Sequence, residues 1–334
     1  MIMTRTPLRV SFVGGGSDYP GFFGNQEGYV LGATVNLFVY TAVIAHSSLA
    51  EHKYKVTYRI NESVDSISDI QHPLIRGALQ ELKWNDPGLH ISTLADVPAR
   101  TGLGSSSAFA VGLLNALHTF KGESLTPFEL AEAAINLERG VLREAGGWQD
   151  QIHSAIGGFN LIKFSGQKFQ VEHKFLDASL NSALSDRMVL VSAGEPRDST
   201  YHASQVADTL KTSSGDNIAK EMACLAKNAG SEIANSRDPE ESIQSLAMAM
   251  RKGWDLKQRL GGNVSEGVSE IVSTGLRNGA LAAKLCGAGG SGFILFITER
   301  PNDEGFLNLF PKSRVQKLRI HNKGSETGPL SWNI

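Results

Sequence analysis

The sequence predicts an α+β protein with two domains. Its 334 residues exceed what one ordinary hydrophobic core accommodates, which favours two domains in close contact. Strand-like and helix-like segments follow one another in blocks, without the regular βαβ alternation of a doubly wound fold. No internal repeat or low-complexity linker is present. We place the boundary near Ser179–Ser182, which gives domains of residues 1–183 and 184–334.

The first domain is predicted to open with a strand. Leu8, Val10 and Phe12 alternate with Arg9 and Ser11, which is strand periodicity, and the glycines that follow interrupt it. The other elements predicted for this domain are strands at 28–45, 53–60, 89–95 and 158–176 and helices at 72–83, 105–120 and 126–144.

Two of these helices have informative sequences. Residues 105–120 are apolar nearly all round, which indicates a buried helix. Thr126, Pro127 and Glu129 supply a capping residue, a proline at the first helical position and a glutamate at the third. This second helix is expected to continue to about Glu144.

The second domain is predicted to be richer in helix. Its predicted elements are helices at 200–211, 216–235, 238–260 and 265–278 and strands at 187–192, 293–298 and 313–322.

Composition excludes several classes of function. A formal net charge of -2 argues against a nucleic-acid-binding protein, which normally carries a basic surplus. No stretch of 18 apolar residues predicts a membrane span, and Arg5, Arg9 and Asp18 interrupt any signal-peptide core. Two cysteines cannot build a disulfide framework, and no His/Cys spacing resembles a zinc site. We therefore expect a cytoplasmic protein without nucleic-acid or membrane partners.

The most informative loop runs from Pro98 to Ala108. It contains Gly102-Leu103-Gly104 followed by Ser105-Ser106-Ser107, between an apolar strand and the buried helix. Glycines let a backbone approach a ligand closely, and a helix N-terminus supplies free N–H donors and the positive end of a dipole. A serine hydroxyl there can also reach Mg²⁺. The pattern favours a phosphate site over the alternative, a flexible loop with serine caps.

Two other phosphate-binding patterns do not apply. The Gly-Lys-Ser/Thr of a Walker loop is absent. The string 287–292 matches the glycine spacing of a dinucleotide fingerprint, but that fingerprint must open a helix, and a strand-like run follows here. We interpret 287–292 as a second loop of close backbone approach, beside the ligand or beside the first loop.

Glu138 is an unusual carboxylate. On a helix its neighbours three and four residues away are apolar, so it has no local charge partner. Burial of an unpaired carboxylate is costly. Either a metal ion or a partner elsewhere in the fold would resolve this, and the pattern alone does not choose between them.

Two aspartates follow glycines. Asp150 lies just after Gly146-Gly147, and Asp18 ends Gly14-Gly15-Gly16-Ser17-Asp18. A kinase of an alcohol needs a proton acceptor and anchors for hydroxyl groups. Caps and turns use aspartate in the same way, so these two positions remain open between the two functions.

Together these segments resemble the GHMP kinase superfamily over nearly the whole chain. The resemblance lies in three motifs that occur in order: Pro7–Arg9 with the first glycine string, Pro98–Ala108 and Gly287–Phe293. It implies a two-domain fold, with an N-terminal mixed-sheet ATP-binding domain and a C-terminal ferredoxin-like domain. It also implies ATP and Mg²⁺ as cofactors.

The resemblance assigns functions to individual positions. It implies that Asp150 is the base, that Arg9 offsets phosphoryl charge, and that Ser106 and Glu138 bind Mg²⁺. The positions expected to hold the phosphates of ATP are Pro98, Gly102, Leu103, Gly104, Ser105, Ser106 and Ser107. The positions expected near the substrate are Asp18, Gly15, Gly16, Ser17, Gly147, Gly289, Gly290 and Arg197.

Within the superfamily the likeness is strongest to kinases of the anomeric hydroxyl of sugars, the heptose 7-phosphate kinases among them. It is carried by the strings Arg5–Arg9, Gly14–Asp18, Gly146–Gln151 and Gly157–Asn160 and by the ending Ser331–Ile334. The Trp148–Gln151 string is also similar to fucokinases. A non-catalytic sugar- and ATP-binding sensor is the third alternative, although none of the four expected functional residues has been lost. The expected partner is a small-molecule sugar or sugar phosphate, and a homodimer is compatible with the sequence.

Two features depart from the family pattern or extend it. Arg100 occupies a position where glycine or another residue is frequent. A phosphorylated substrate would need cations at its far end, and Arg197 and Lys257 are the candidates, with ordinary surface charge as the alternative and the preferred one for Lys257.

Overall fold

The computed structural model describes residues 1–47, 49–85, 87–98, 102–194, 199–260, 264–287 and 292–328. Its strands are β1 (Ile2–Val13), β2 (Gly28–Ala45), β3 (Tyr54–Thr57), β4 (Asn61–Val64), β5 (Leu89–Ala95), β6 (Phe159–Ser165), β7 (Lys168–Phe175), β8 (Met188–Ser192), β9 (Ala280–Leu285), β10 (Phe293–Thr298), β11 (Val315–Lys317) and β12 (Glu326–Thr327). Its helices are α1 (Pro20–Phe23), α2 (Pro73–Glu81), α3 (Ser105–Phe120), α4 (Pro127–Ile135), α5 (Gln149–Ile156), α6 (Ala178–Ser185), α7 (Ser199–Thr209), α8 (Ser213–Asn235), α9 (Pro239–Arg259), α10 (Glu266–Arg277) and α11 (Glu304–Leu307).

The first sheet is mixed and has eight strands within the described residues. Its main path is β12-β1-β2-β5-β3-β4, and β6 and β7 continue from the start of the long strand β2. Only β3 and β5 run parallel, while the other pairs are antiparallel. This confirms the mixed N-terminal sheet.

Strand β1 is covered on both faces. Its residues from Thr6 to Val10 are all buried, so both alternating sets of side chains lie away from water. Helices α3 and α5 contact β1 and each other, and α8 and α9 likewise contact β1 and each other. Helix α3 is buried nearly all round, as its composition predicted.

The second sheet has the strand order β11-β8-β10-β9, with every pair antiparallel. Along the chain this is strand, helices, two strands, helix and strand, which is the βαββαβ order of a ferredoxin-like fold. The C-terminal part of the chain then returns to the first sheet, because β12 pairs with β1.

Several predicted elements differ from the structure. The helix expected to reach Glu144 ends as an α-helix at Ile135 and continues as a π-helix over Asn136–Val141. Helix α5 and strand β9 were not predicted. The strand expected at 313–322 is shorter, since only Val315–Lys317 pair along β8.

The expected domain boundary falls within helix α6. The chain passes from the first sheet to the second between the end of β7 and the start of β8. The boundary at residues 183 and 184 therefore stays a prediction.

Among the residues that the structure describes, no helix has the length and apolarity needed to cross a membrane. Cys224 is exposed and Cys286 is buried, and both are free thiols.

Candidate active site

Helix α3 begins without a side-chain cap. Its N-cap is Gly104 in the left-handed conformation, with φ 75°, and no side chain of the described residues caps its first turn. Helix α4 shows the contrast, because Thr126 and Glu129 form a complete capping box there, as predicted. The uncapped N–H groups of α3 are therefore available to an anion such as a phosphate.

The glycine loop before α3 lies in direct backbone contact with Cys286 and Gly287, where the loop after β9 begins. A Cβ on Gly102 would lie 2.5 Å from the carbonyl oxygen of Cys286, and a Cβ on Gly287 would lie 2.4 Å from the Cα of Gly102. Such distances exclude any side chain at either position. Strand β10 follows the second loop, so the loop opens a strand and not a helix. Of the positions expected in these loops, 99–101, Gly289 and Gly290 lie outside the described residues, as does Arg197.

Arg9 and Asp150 lie directly beside this loop. The guanidinium of Arg9 donates from Nε to Oδ1 of Asp150 at 2.8 Å and from Nη2 to Oδ2 at 2.6 Å. Its Nη1 donates to the carbonyl of Gly102 at 2.7 Å. A Cβ on Gly104 would lie 3.3 Å from Cγ of Arg9 and 3.4 Å from Oδ2 of Asp150. The structure therefore brings together the three features that sequence reasoning treated separately.

Asp150 keeps capacity for a further hydrogen bond. It lies in the first turn of α5, where a negative charge is favourable. Each carboxylate oxygen has two lone-pair directions, and Arg9 uses one on each. The side chain is 24% exposed, against 7% for that of Arg9. An alcohol can therefore approach the carboxylate from the open side.

Glu138 is 1% exposed and lies in the π-helical segment. Its carboxylate accepts hydrogen bonds from Nε2 of Gln151 and from the hydroxyl of Ser107. Burial raises the pKa of Glu138, while the positive charge of Arg139 opposes that shift. The partner that sequence reasoning could not identify is thus a pair of neutral donors and a neighbouring arginine.

These residues fit a hard cation. The Oε1 atom of Gln151 is buried without a partner among the described residues, beside the Glu138 carboxylate. Oxygen ligands of this kind suit Mg²⁺. Ser107 is buried and contacts Glu138, whereas Ser106 is exposed in the first turn of α3. Ser106 as a metal ligand stays a prediction, and the structure adds Ser107 as a second hydroxyl.

Asp18 connects the first glycine string to the start of α5. Its carboxylate accepts from the backbone N–H of Gly16 at 2.9 Å and from Nε2 of Gln149 at 3.1 Å. Burial raises the pKa of Asp18. A Cβ on Gly147 would lie 1.8 Å from Oδ2 of Asp18, so only glycine fits there. Ser17 is buried; its hydroxyl bonds the carbonyls of Gly14 and Tyr29, and its backbone N–H donates to the carbonyl of Gly14, so both groups stabilise the loop itself.

The two polar side chains beside Gly15, Gln149 and Ser11, each have a buried atom without a partner among the described residues. These atoms are Oε1 of Gln149 and the hydroxyl oxygen of Ser11. A Cβ on Gly15 would lie 3.4 Å from Nε2 of Gln149 and 3.8 Å from Oγ of Ser11. A polyhydroxylated ligand would supply the missing hydrogen bonds.

Lys257 was expected to carry ordinary surface charge, and the structure contradicts this expectation. Its stem is partly exposed, but its ammonium is buried and donates to the carbonyls of Leu285, at 3.3 Å, and Gly287. Burial lowers the pKa of Lys257 to about 8. The helical periodicity of 238–260 would have placed it beside the buried Gly253 and Trp254, which was the available signal.

Sequence reasoning missed Lys284 altogether. This residue of β9 is 4% exposed, and its ammonium donates to the carbonyls of Ser11 at 2.8 Å and Phe12 at 3.1 Å. Burial lowers its pKa to about 7, and the positive charge of Lys257 adds to this. A lysine within an alanine-rich strand was the only hint in the sequence.

Comparisons with known proteins agree with this geometry. Residues 73–158 match the family model of the GHMP kinases N terminal domain, and residues 233–311 match that of the GHMP kinases C terminal domain. The whole chain is 26% identical to a D-glycero-alpha-D-manno-heptose 7-phosphate kinase of Campylobacter jejuni and covers 99% of that protein. It is also 26% identical, over 88% of its length, to a bifunctional fucokinase/GDP-fucose pyrophosphorylase of Arabidopsis thaliana, of which it spans 29%.

Solved structures share the fold. A D-glycero-D-manno-heptose 1-phosphate kinase of Bacteroides thetaiotaomicron superposes with a TM-score of 0.78 at 22% identity, covering 99% of this chain and 100% of that one. A galactokinase of Lactococcus lactis superposes with a TM-score of 0.74 at 14% identity, covering 97% and 94%.

Proposed function

Because the chain belongs to the GHMP kinase superfamily and is a phosphotransferase of that family, we propose that it phosphorylates the anomeric hydroxyl of a sugar. The phosphoryl donor is ATP, and the acceptor is D-glycero-D-manno-heptose 7-phosphate. The reaction belongs to the biosynthesis of nucleotide-activated heptose. The full-length likeness to a heptose 7-phosphate kinase supports this acceptor.

One observation carries the proposal. The uncapped start of α3 and the Arg9–Asp150 ion pair are in contact, since Gly104 lies against both side chains. A phosphate bound at the start of α3 and a hydroxyl hydrogen-bonded to Asp150 would therefore be neighbours. Phosphoryl transfer depends mainly on such positioning and on charge stabilisation.

The residues of the chain then divide the work. Asp150 accepts the proton of the attacking hydroxyl through a free lone pair while Arg9 holds its orientation. Arg9 also places positive charge where the equatorial oxygens of the transferring group develop negative charge. Glu138, with Ser106 or Ser107, would hold the Mg²⁺, which supplies charge neutralisation of the phosphates.

The other hydroxyl groups of the substrate would contact polar side chains around Gly15. Asp18 and Gln149 are coupled by hydrogen bonds, the side chains of Gln149 and Ser11 both lie beside Gly15, and Oε1 of Gln149 and the Ser11 hydroxyl have no partner among the described residues. An unpaired buried acceptor costs about 1–3 kcal/mol until a donor reaches it. Sugar hydroxyls are such donors, which supports a sugar over an apolar alcohol.

An ADP-release screen over free and phosphorylated hexoses and heptoses tests the proposal. We expect the highest kcat/KM with D-glycero-D-manno-heptose 7-phosphate. Turnover confined to unphosphorylated fucose would indicate the fucokinase-like alternative. ATP binding without turnover of any sugar would indicate a sensor.

A further inference from the structure

Two ammonium groups lie behind the candidate active site and have no carboxylate partner in the described part of the chain. They belong to Lys257 of α9 and Lys284 of β9, and both donate only to backbone carbonyls. A buried ammonium without a counter-ion is costly. Since burial of these two ammonium groups destabilises the fold, we look for their role in the function of the site.

The carbonyls that they hold belong to the end of β1, just before the Gly14–Gly16 string, and to the end of β9 with the first glycine of the loop that follows it. Lys284 binds Ser11 and Phe12, the last residues of β1 before its final valine and the glycine string. Lys257 binds Leu285 and Gly287 on either side of Cys286. Each lysine of the second domain therefore fixes one backbone segment at the site.

These contacts connect both lysines to Arg9. Gly287 and Cys286 press against Gly102, whose carbonyl accepts from Nη1 of Arg9 at 2.7 Å. Arg9 lies two residues before Ser11 on the same strand. Movement of either carbonyl pair would therefore be transmitted to the Arg9 guanidinium, and through it to Asp150.

We propose that Lys257 and Lys284 are positioning residues that fix the end of β1 and the backbone around Gly287, and so hold the Arg9–Asp150 pair in its productive place. They also keep two positive charges close behind Arg9. The inference rests on phosphoryl transfer at this site, but not on which sugar accepts the phosphate.

The positive charge of Lys284 contributes to this positioning. The titratable and charged groups that face Lys284 are Arg9 of β1, Asp18 of the first glycine string, Lys257 of α9 and the thiol of Cys286 next to β9, whose pKa burial raises. The pKa of Lys284, lowered by burial to about 7, means that a rise in pH removes its charge while two N–H donors remain. Catalysis should then weaken on the alkaline side although the fold persists.

The experiment compares Lys284→Met, Lys284→Arg, Lys257→Met and the exposed control Lys168→Met. ADP release with D-glycero-D-manno-heptose 7-phosphate is measured across pH 6–10, and so is its ATP-only background. A misplacement of about 1 Å costs roughly 10²-fold in rate. We expect kcat to fall by about that factor in Lys284→Met and Lys257→Met, with KM for ATP within about threefold and circular dichroism unchanged.

Lys284→Arg separates charge from packing, because arginine does not deprotonate in this range. It should retain more activity than Lys284→Met and move the alkaline decline of kcat/KM to higher pH. A folded Lys284→Met with the kcat of the wild type overturns the inference, as does an alkaline decline identical in Lys284→Arg and wild type. If Lys284 variants do not fold, Lys257→Met with unchanged kcat overturns it. Failure of the wild type itself to turn over any sugar instead counts against the proposed function.

Discussion

Arg9 and Asp150 form a double hydrogen bond, Nε to Oδ1 at 2.8 Å and Nη2 to Oδ2 at 2.6 Å, across 141 residues of sequence. The fork geometry matches a carboxylate and is specific to arginine. It holds one orientation of Asp150 while Nη1 of Arg9 donates to the carbonyl of Gly102 in the loop before α3. Asp150 and this loop are thus fixed relative to each other by a single side chain.

Asp150→Asn should lower kcat by about 10²–10⁴-fold, the range typical for loss of a general base. The amide keeps the shape of the carboxylate but cannot take up the proton, and its NH₂ group opposes one arm of Arg9. Steady-state ADP release measures the effect. Asp208→Asn is the control, because that carboxylate is exposed and pairs only with Lys211. Full turnover by Asp150→Asn would remove this residue from the proton transfer.

Gly104→Ala should lower kcat/KM for ATP, in addition to the loss of unfolding free energy expected for any alanine at a left-handed glycine position. The left-handed φ of 75° costs an alanine roughly 1–2 kcal/mol, and its Cβ would lie 3.3–3.4 Å from Arg9 and Asp150. Gly122→Ala is the matched control, since Gly122 has φ 79° with nothing within 4 Å of its Cβ. Both variants should lose similar stability in urea unfolding.

Only Gly104→Ala should lose activity, by about tenfold in kcat/KM for ATP, because the ion pair must shift by a few tenths of an ångström. Equal activity of the two alanine variants would show that Gly104 does not control the pair.

The sequence predicted the architecture better than the contacts within the site. Periodicity and caps are local features, so α3 and the capping box of α4 were predictable from them, whereas the mixed sheet was expected from the family resemblance. The π-helical segment at Asn136–Val141 was not predictable, because its wider turns depend on packing.

Contacts between segments far apart in the sequence could not be predicted either, because local patterns carry no information about them. Nothing in the periodicity links Lys284 to Ser11, since 273 residues separate them. The motif resemblance suggested Arg9 and Asp150 individually but not that they bind each other. Ser106 and Glu138 were expected to share a Mg²⁺ ion, which stays a prediction, and the hydroxyl of Ser107, which sequence reasoning had not placed there, contacts the carboxylate.

Glu138→Gln should separate stability from function. Removal of a buried charge relieves the cost that raises the pKa of Glu138, and the new amide can donate to the unpartnered Oε1 of Gln151. The melting temperature should therefore stay the same or rise. The Mg²⁺ concentration for half-maximal activity should rise by about 10²-fold, because a carboxylate ligand is lost.

Titration of ADP release with Mg²⁺ and a thermal unfolding curve measure the two effects. Glu132→Gln, on the exposed side of α4, is the control. The same titration on Ser106→Ala and Ser107→Ala tells which hydroxyl binds the metal. An unchanged Mg²⁺ requirement in Glu138→Gln would argue for a purely structural carboxylate.

His153 should make the fold sensitive to acid. It is fully buried in α5, neither ring nitrogen has a partner among the described residues, and burial lowers its pKa from 6.5 to about 3. The nearby Arg9 charge acts in the same direction. Between pH 6.5 and about 3 the unfolded chain therefore holds a proton on this ring that the folded chain does not.

The sign of the pH effect follows from that difference. Stability must fall as pH falls through this window, by about 1.4 kcal/mol per pH unit for one proton. His153→Met cannot ionise, so the loss of unfolding free energy between pH 6.5 and 4 should shrink by about 3 kcal/mol relative to wild type. Urea unfolding at a series of pH values measures this, with His173→Gln, an exposed histidine, as the control. A His153→Met curve parallel to that of the wild type would mean that the ring gains a proton, and a partner for it, without unfolding.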